Sequence, residues 1–428
     1  MVTKIIADGK KEYEFLDSIR DRSDDVALDV NKIVNDIIIN VKINKDAALK
    51  EYTEKFDKVK LNELLVSDRE IEDAYKSVSD EYIDILKEAA KNIEDFHSRQ
   101  KTQSFINTKE DNVILGQRVR GLEKVGIYVP GGTAAYPSSV LMNAIPAKVA
   151  GVKEIIMVTP PLKDGTVNKN ILAAAKIAGV TKIYKVGGAQ AIAALAFGTE
   201  SIDKVDKIVG PGNIFVATAK KNLFGIVDID MVAGPSEILI IADKTANPEF
   251  LAADMMSQAE HDILASSILV VTDEKIADET IIQLEKQSKT LEREEIIKKS
   301  LKDFGAIIVA KNIEQAIEIS NYVAPEHLEV VVENPMTYLG QLDNAGSIFL
   351  GSYSPEPIGD YFAGPNHVLP TGKTAKFFSP LSVDSFVKRS SFIYYSEKAL
   401  LRDGEKVIKF ANSEGLTAHA NSIKVRLK

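Results

Sequence analysis

The chain contains five histidines and no cysteine, and these two counts limit the chemistry it can perform. Without cysteine it can form no disulfide, iron–sulfur cluster or thiolate zinc site, and it has no thiol nucleophile. A transition metal would have to be held by histidine nitrogens and by oxygens of Asp, Glu, Asn or Gln. An aldehyde could not be oxidised through a thiohemiacetal. The five histidines are His97, His261, His327, His367 and His419.

Gln258 and His261 are three residues apart in a segment that we predict to be a helix beginning at Pro248. Side chains at this spacing project from one face of a helix, so both could bind the same metal ion. Glutamine is an uncommon zinc ligand, however, and an ordinary polar helix face has the same pattern. The spacing alone leaves both interpretations open.

Glu326 and His327 follow Pro325 at the junction between a predicted helix and a predicted strand. A carboxylate beside an imidazole at such a boundary suits general acid–base catalysis. A solvated loop pair would look the same in the sequence, so this pair also has two interpretations.

Two further acid–histidine pairs lie in the C-terminal part of the chain. Asp360 precedes His367 in a Gly/Pro-rich loop, and Glu414 and His419 flank a helix stop. Four of the five histidines thus have an acid or amide nearby, whereas His97 is interpreted as a surface or packing histidine. Two histidines, one aspartate and one glutamine would be compatible with Zn²⁺, Mn²⁺ or Co²⁺.

Three glycine turns follow predicted strands, and each leads into a predicted helix. Backbone N–H groups at a helix N-terminus favour anions, so turns at neighbouring strand ends could bind a pyrophosphate. Ordinary strand-to-helix turn chemistry explains each turn equally well, and the chain has no G-x-G-x-x-G or P-loop motif. The turns are Pro130-Gly131-Gly132, Gly187-Gly188 and Gly210-Pro211-Gly212-Asn213.

Strands and helices alternate from about residue 125 onward, which predicts parallel sheets. The first 110 residues or so are charged and helical in pattern, with a helix start predicted at Ser23-Asp24-Asp25. From residue 351 a long loop rich in Gly, Pro and Ser contains several aromatic residues, which argue against disorder. The tail has a predicted helix, a stop at Gly415 and an apparent strand IKVRL, and we expect it to be too small to fold alone.

The composition excludes several classes of protein. Apolar residues make up 45% and charged residues 27% of 428 residues, as in an ordinary globular protein. The net charge of −9 argues against a basic nucleic-acid-binding surface. We find no signal peptide and no apolar run of the roughly 18 residues that span a membrane. The expectation is a cytoplasmic protein that binds neither nucleic acid nor membrane.

Several segments between about residue 120 and the C-terminus resemble the histidinol dehydrogenase family, NAD- and zinc-dependent enzymes of the last step of histidine biosynthesis. The match is specific because the motifs occur together and in order, whereas the N-terminal part is less diagnostic. The matching segments are VGIYVPGGTAAYPSSVLMNAIPA, KVGGAQAIAALAFGTESI, KIVGPGNIFVATAKK, VDIDMVAGPSEILIIAD, DMMSQAEHD, YVAPEHLE, NAGSIFLG, IGDYFAGPNHVLPT, SPLSVDSF and EGLTAHANSI.

The resemblance implies a role for each candidate residue, and no such position departs from the family pattern. It implies one Zn²⁺ per subunit and an acid–base pair formed by Glu326 and His327. The implied zinc ligands are Gln258, His261, Asp360 and His419. The implied substrate-binding residues are these four ligands together with Ser236, His327, His367 and Glu414. The implied NAD contacts are Tyr128, Gln190 and Asn213, on the three glycine turns.

The reaction implied by the resemblance converts L-histidinol, two NAD⁺ and water to L-histidine and two NADH. In this hypothesis His327 removes the alcohol proton in the first oxidation, which gives an aldehyde. Glu326 activates water to form the aldehyde hydrate, and His327 acts again in the second oxidation. The missing cysteine favours this water route over a thiol route.

The resemblance also implies a homodimer with shared active sites, in which the C-terminal tail crosses to the partner. Glu414 and His419 would then complete the neighbouring site. The predicted fold is α/β, with two Rossmann-like parallel-sheet units, a helical N-terminal part and this small tail. The predicted divisions are an N-terminal arm (1–22), a discontinuous metal-bearing domain (23–124 plus 237–380), an NAD-binding domain (125–236) and the tail (381–428).

Three alternative functions remain. A relative in the same family could use zinc and NAD on another polar alcohol. A zinc hydrolase could use a metal-bound water, and a two-lobed binding protein could hold a small molecule without catalysis. NADH formation from histidinol would distinguish a histidinol dehydrogenase from these three alternatives.

Overall fold

The computed structural model describes residues 2–19, 27–131 and 135–427. The predicted helix start at Ser23-Asp24-Asp25 and the turn residue Gly132 lie outside these ranges. The strands within them are β1 (Thr3–Ile6), β2 (Phe105–Lys109), β3 (Val113–Gly121), β4 (Lys124–Tyr128), β5 (Glu154–Thr159), β6 (Lys182–Lys185), β7 (Lys207–Val209), β8 (Asp228–Ile229), β9 (Glu237–Ala242), β10 (Ser266–Val271), β11 (Gly305–Val309), β12 (His327–Val331), β13 (Ser347–Leu350) and β14 (Val387–Tyr394).

The helices alternate with these strands over most of the chain. None of those in the described ranges is long and apolar enough to cross a membrane. They are α1 (Lys11–Ser18), α2 (Ala27–Asp57, interrupted at Lys45), α3 (Asp68–Ser77), α4 (Asp80–Ser98), α5 (Pro137–Val149), α6 (Lys169–Ala178), α7 (Gly188–Phe197), α8 (Ile214–Leu223), α9 (Pro248–Ala259), α10 (Glu274–Gln287), α11 (Glu294–Phe304), α12 (Ile313–Val323), α13 (Glu356–Ile358), α14 (Glu397–Ser413) and α15 (Thr417–Lys424).

Contacts divide the chain into two compact units. The first contains Met1–Gln100 and Leu122–Phe386, and the second contains Lys101–Gly121 and Val387–Lys428. Both parallel sheets belong to the first unit, so the predicted α/β class with two parallel-sheet units is confirmed.

The five-stranded sheet has the order β6-β5-β4-β7-β8, and all its strands are parallel. The chain first builds outward from β4 to β6 and then returns to place β7 on the other side of β4. The strand order therefore reverses between β4 and β7, and ligands of α/β proteins bind at such a reversal, beyond the carboxyl ends of the strands. The turns after β4 and β7 are two of the three predicted glycine turns.

The six-stranded sheet has the order β1-β11-β10-β9-β12-β13 and is also parallel throughout. All six residues of β10 are buried, as expected for a strand covered on both faces. Residues 3–6, which we predicted to lie in an N-terminal arm, pair with β11 as an edge strand of this sheet.

Helices α2, α3 and α4 pack on the helices of the five-stranded sheet, α2 against α7 and α8, α3 against α6, and α4 against α5. These contacts join the three helices to the segment 125–236, whereas α4 also contacts the turn Gly359–Ala363. The predicted grouping of residues 23–124 with 237–380 stays a prediction. The buried positions Val34, Val41 and Leu49 of α2 belong to the same apolar cluster as Ile192 and Leu195 of α7. An apolar helix face predicts burial, but it does not say which neighbour buries it.

The second unit contains an antiparallel sheet of order β14-β3-β2 and the helices α14 and α15. The C-terminal tail therefore pairs with a hairpin of its own chain, through β14 and β3. The predicted stop at Gly415 is confirmed by its positive φ of 75°. The predicted strand IKVRL is wrong, because α15 extends to Lys424.

Candidate active site

A cavity of about 330 Å³ in the first unit collects most of the predicted site residues. It is lined by residues that follow β4 and β7 in one sheet and by residues that precede β9 and β12 in the other. One sheet thus contributes the carboxyl ends of its strands and the other contributes the amino ends. Predicted residues in the lining are Asn213, Ser236, Gln258, His261, Glu326, His327, Asp360 and His367.

His327 is the first residue of β12, and its Nδ1 lies 3.1 Å from the carbonyl oxygen of Glu237. A carbonyl only accepts hydrogen bonds, so Nδ1 carries the proton and Nε2 presents its lone pair. Nε2 is buried and has no hydrogen-bond partner among the described residues. It lies 3.8 Å from Oδ1 of Asp360 and 3.9 Å from Oε1 of Glu356. The imidazole is therefore oriented as a proton acceptor toward the cavity.

Glu326 is buried beside this imidazole, with its Oε2 3.8 Å from Nδ1 of His327. The same oxygen accepts the backbone N–H of Glu237 at 3.0 Å. Burial raises the pKa of the Glu326 carboxyl to about 8, against the lowering effects of His327 and of the Glu237 N–H group. A carboxyl with such a pKa can exchange a proton near neutral pH, as a general base must.

Gln258 lies in the last turn of α9, which begins with Asn247 capping the helix and Pro248 in its first turn. Its side chain is fully buried, and neither its Oε1 nor its Nε2 has a hydrogen-bond partner among the described residues. An unsatisfied buried amide costs about 1–3 kcal/mol, so an oxygen ligand is expected to have a partner here. The cavity is the place where that partner would bind.

His261 lies just beyond the end of α9, and its backbone N–H donates to the carbonyl of Gln258 at 3.2 Å. It is one of the residues that line the cavity. Desolvation lowers its pKa, more strongly than the charge of Asp360 raises it. The neutral imidazole, which is the form that ligates metals, is therefore favoured.

Asp360 and His367 lie in one loop and contact each other through the Asp360 backbone. The π-helical turn Gly359–Ala363 contains Asp360, whose carbonyl oxygen lies 3.1 Å from Nδ1 of His367. Nε2 of His367 lies 3.4 Å from Oγ of Ser139, which also lines the cavity. Burial lowers the pKa of His367, so this ring is neutral with its Nε2 available to accept a proton or hydrogen bond.

Glu356 is a cavity residue that sequence reasoning missed. It is 2% exposed, accepts a hydrogen bond from Oγ of Ser257 at 3.3 Å, and burial together with Asp360 raises its pKa to about 8. Ligand atoms of His327, Glu356 and Asp360 lie within 4.8 Å of one another, close enough to hold a metal ion. Glu356 lies about one helical turn before Asp360 in SPEPIGDY, and this spacing is the sequence signal that could have identified it.

Tyr128 connects the three glycine turns. It is the last residue of β4, two positions before the first turn, and its hydroxyl accepts the N–H of Gly188 in the second turn at 3.2 Å. Gly210 in the third turn has a φ of 111°, and a Cβ there would lie 2.2 Å from the Tyr128 carbonyl oxygen. Only glycine fits this approach.

The three predicted NAD contacts differ in whether they line the cavity. Asn213 lines the cavity and caps α8, accepting the N–H groups of Phe215 and Val216. Tyr128 and Gln190 are 4% and 2% exposed, and neither is among the described residues that line the cavity. The structure therefore places only one of the three predicted contacts on the cavity wall.

Comparison with known proteins identifies the family. The family model described as histidinol dehydrogenase matches residues 20–427. A histidinol dehydrogenase of Clostridium acetobutylicum is 62% identical over 428 residues, covering 100% of this chain and 99% of the relative. One of Lactococcus lactis is 55% identical over the same coverage. The crystal structure of the histidinol dehydrogenase from Elizabethkingia anophelis superposes with a TM-score of 0.93 at 44% identity, over 100% of this chain and 98% of that one.

The chain belongs to the histidinol dehydrogenase family. It is therefore an oxidoreductase, as the resemblance of its motifs predicted.

Four of the five histidines were predicted to form the site of this histidinol dehydrogenase family member. Three of them, His261, His327 and His367, line one cavity. His97 is the exception, as expected, since it is fully buried in packing and its Nδ1 lies 2.8 Å from the Ile93 carbonyl oxygen.

Glu414 and His419 belong to the second unit, where Glu414 directly follows α14 and His419 lies on α15. We predict that these two residues complete the active site of the other subunit in a homodimer. For this member of the histidinol dehydrogenase family, that role stays a prediction.

Proposed function

We propose that this protein oxidises L-histidinol to L-histidine with two NAD⁺, through L-histidinaldehyde and its hydrate. The proposal combines family membership with one observation. Nε2 of His327 and the side-chain amide of Gln258, on the lining of one cavity, are both buried without a hydrogen-bond partner among the described residues. Nε2 of His327 can accept a proton, and the amide oxygen of Gln258 can bind a metal ion. Together they supply what oxidation of a metal-anchored alcohol requires.

The residues present fit a zinc ion. Gln258, His261 and Asp360 line one cavity and offer oxygen and nitrogen donors, and we propose His419 from a second copy of the chain as the fourth ligand. When bound, zinc would fix the amino and imidazole nitrogens of the substrate, and each NAD⁺ would take up two electrons from the substrate carbon.

In the first oxidation, Nε2 of His327 accepts the proton of the substrate hydroxyl. The hydrogen bond from its Nδ1 to Glu237 holds the ring in the required tautomer and stabilises the imidazolium that forms. The ring then releases its proton to solvent. The product of this step is the aldehyde.

In the second oxidation, Glu326 in its carboxylate form removes a proton from water as the water adds to the aldehyde carbon. The aldehyde oxygen takes up a proton from solvent, and Glu326 releases its own proton to solvent. The hydrate that results carries a hydroxyl on the same carbon. Nε2 of His327 accepts that hydroxyl proton as the carbon is oxidised to the carboxylate level. The route needs no thiol, in agreement with the absence of cysteine.

The experiment that tests this function is NADH formation on mixing the purified protein with L-histidinol and NAD⁺. A matched substrate is a 2-amino alcohol of similar size without an imidazole. We expect rapid NADH formation with histidinol and a rate at least about 100-fold lower with the matched alcohol. No NADH from histidinol, or equal rates for both alcohols, would contradict the proposal.

A further inference from the structure

Lys220 and Asp230 form an ion pair inside the protein, on the wall of the cavity. Their side chains are 3% and 1% exposed, and Nζ of Lys220 contacts Oδ1 of Asp230. Lys220 lies near the end of α8, and Asp230 directly follows β8. Neither residue has a role in the proton transfers described above.

The pair binds both polar groups of one residue in the third glycine turn. Nζ of Lys220 donates to the carbonyl oxygen of Gly210 at 3.0 Å. Oδ2 of Asp230 accepts the N–H of Gly210 at 2.8 Å, and its Oδ1 accepts the N–H of Met231 at 2.6 Å. The ion pair therefore fixes Gly210, whose φ of 111° is available only to glycine at this close approach.

The same pair links the two walls of the cavity. Gly210 and Asn213 belong to the turn predicted to bind NAD⁺, whereas Met231 begins the segment that leads to Ser236, a predicted substrate contact. All four residues line the cavity together with Lys220 and Asp230. The carboxylate of Asp230 therefore binds both the Gly210 turn and the segment that begins at Met231.

Stability alone does not explain such a pair. Removing two charges from water costs several kcal/mol per ion, and well-packed apolar residues are often equally or more stabilising in the same place. The positive charge of Lys220 is already balanced by Asp230, so it is not available as a free cation for a phosphate. What remains specific is the geometry that the pair imposes on Gly210.

We propose that Lys220 and Asp230 are positioning residues that hold the Gly210–Asn213 turn in the conformation that binds NAD⁺. The inference rests on the proposed function, because that function supplies the dinucleotide. It assigns the pair to cofactor affinity and not to the proton transfers of His327 and Glu326.

The test compares Lys220→Met with Lys207→Met. Lys207, at the start of β7, is also nearly buried, and it pairs with Asp228 at 2.9 Å, at the end of β7 that lies away from the turn. Both variants remove a nearly buried lysine that pairs with an aspartate, but only one touches Gly210. Calorimetric titration with NAD⁺ in the absence of histidinol gives the dissociation constant, and steady-state kinetics give the KM of each substrate.

We expect Lys220→Met to raise the dissociation constant and the KM for NAD⁺ at least about tenfold, with the KM for histidinol changed less than about threefold. Lys207→Met should change none of these values more than about twofold. If Lys220→Met does not fold, the double variant Lys220→Met/Asp230→Leu decides, because it leaves no unpaired charge. It should fold and still bind NAD⁺ weakly.

Wild-type affinity for NAD⁺ in the double variant would overturn the inference and leave the proposed function intact. Unchanged affinity in a folded Lys220→Met protein would do the same. A wild-type protein that binds no NAD⁺ and forms no NADH from histidinol would instead overturn the proposed function, and the inference with it.

Discussion

Nδ1 of His327 lies 3.1 Å from the carbonyl oxygen of Glu237, and this contact determines which ring nitrogen faces the cavity. The carbonyl requires the proton on Nδ1, so Nε2 is left as the acceptor, 3.8 Å from Asp360. The relationship joins the first residue of β12 to the first residue of β9, neighbouring strands of one sheet. Backbone pairing therefore orients the proposed base.

His327→Asn should lower both oxidation steps about 10²- to 10⁴-fold, the usual range for loss of a general base. Asparagine can still donate to the Glu237 carbonyl through its amide, but it has no basic nitrogen. His97→Asn is the matched control, since Nδ1 of His97 makes the same kind of bond to the Ile93 carbonyl. We expect this control to keep activity within a few-fold. Equal losses in the two variants, measured by NADH formation from histidinol, would remove His327 from the proposed role.

Glu326→Gln should slow oxidation of the aldehyde far more than oxidation of the alcohol. The pKa of Glu326 is raised to about 8 by burial, so its basic carboxylate form becomes populated as the pH rises through that value. The rate with histidinaldehyde should therefore rise with pH around 8 in the wild type, and this rise should vanish in the variant. Rates measured separately with histidinol and histidinaldehyde check the point. If both steps fall equally, or neither falls, the division of roles between Glu326 and His327 is wrong.

Removal of zinc should abolish turnover. Dialysis against a chelator should yield inactive protein, and added Zn²⁺ should restore the rate. Gln258→Ala should lower the bound zinc measured by elemental analysis, because it removes the only carbonyl oxygen of the proposed ligand set. The control Gln283→Ala, at a partly exposed position on α10, should keep its zinc. Full activity in protein shown to be metal-free would contradict the zinc assignment.

Mixed dimers of His261→Ala and His419→Ala chains should regain activity. If the tail crosses to the partner, each mixed dimer has one site with both histidines intact. Random mixing should then restore about a quarter of the wild-type rate, from two parent proteins that are each nearly inactive. Mixing after denaturation and refolding, with each parent refolded alone as the control, gives the comparison. Absence of recovery would mean that one chain builds its whole site.

Much of the site could be predicted because the chemistry of its residues is local. The adjacent pair Glu326 and His327 at an element boundary, and the spacing of Gln258 and His261, identified residues that the structure brings into one cavity. Glu356 was missed because an acid is informative only when it is buried, and burial depends on distant packing. The ion pair of Lys220 with Asp230 was missed for the same reason.

The fold was predictable to a similar extent. Alternating strands and helices predicted both parallel sheets, since each strand and helix has its own pattern along the chain. The partner of α2 was not predictable, because its apolar face fits any apolar neighbour. The prediction of a C-terminal strand IKVRL is wrong because apolar–polar alternation over so few residues does not exclude a helix.

The count of NADH formed per molecule of histidinol tests the central claim most directly. Limiting L-histidinol is incubated with excess NAD⁺ until the reaction is complete, and NADH is measured by its absorbance while the product is identified by chromatography. The account predicts two NADH and one L-histidine per histidinol, because both oxidations occur at the same carbon. One NADH per histidinol, with the aldehyde as the product, would contradict it.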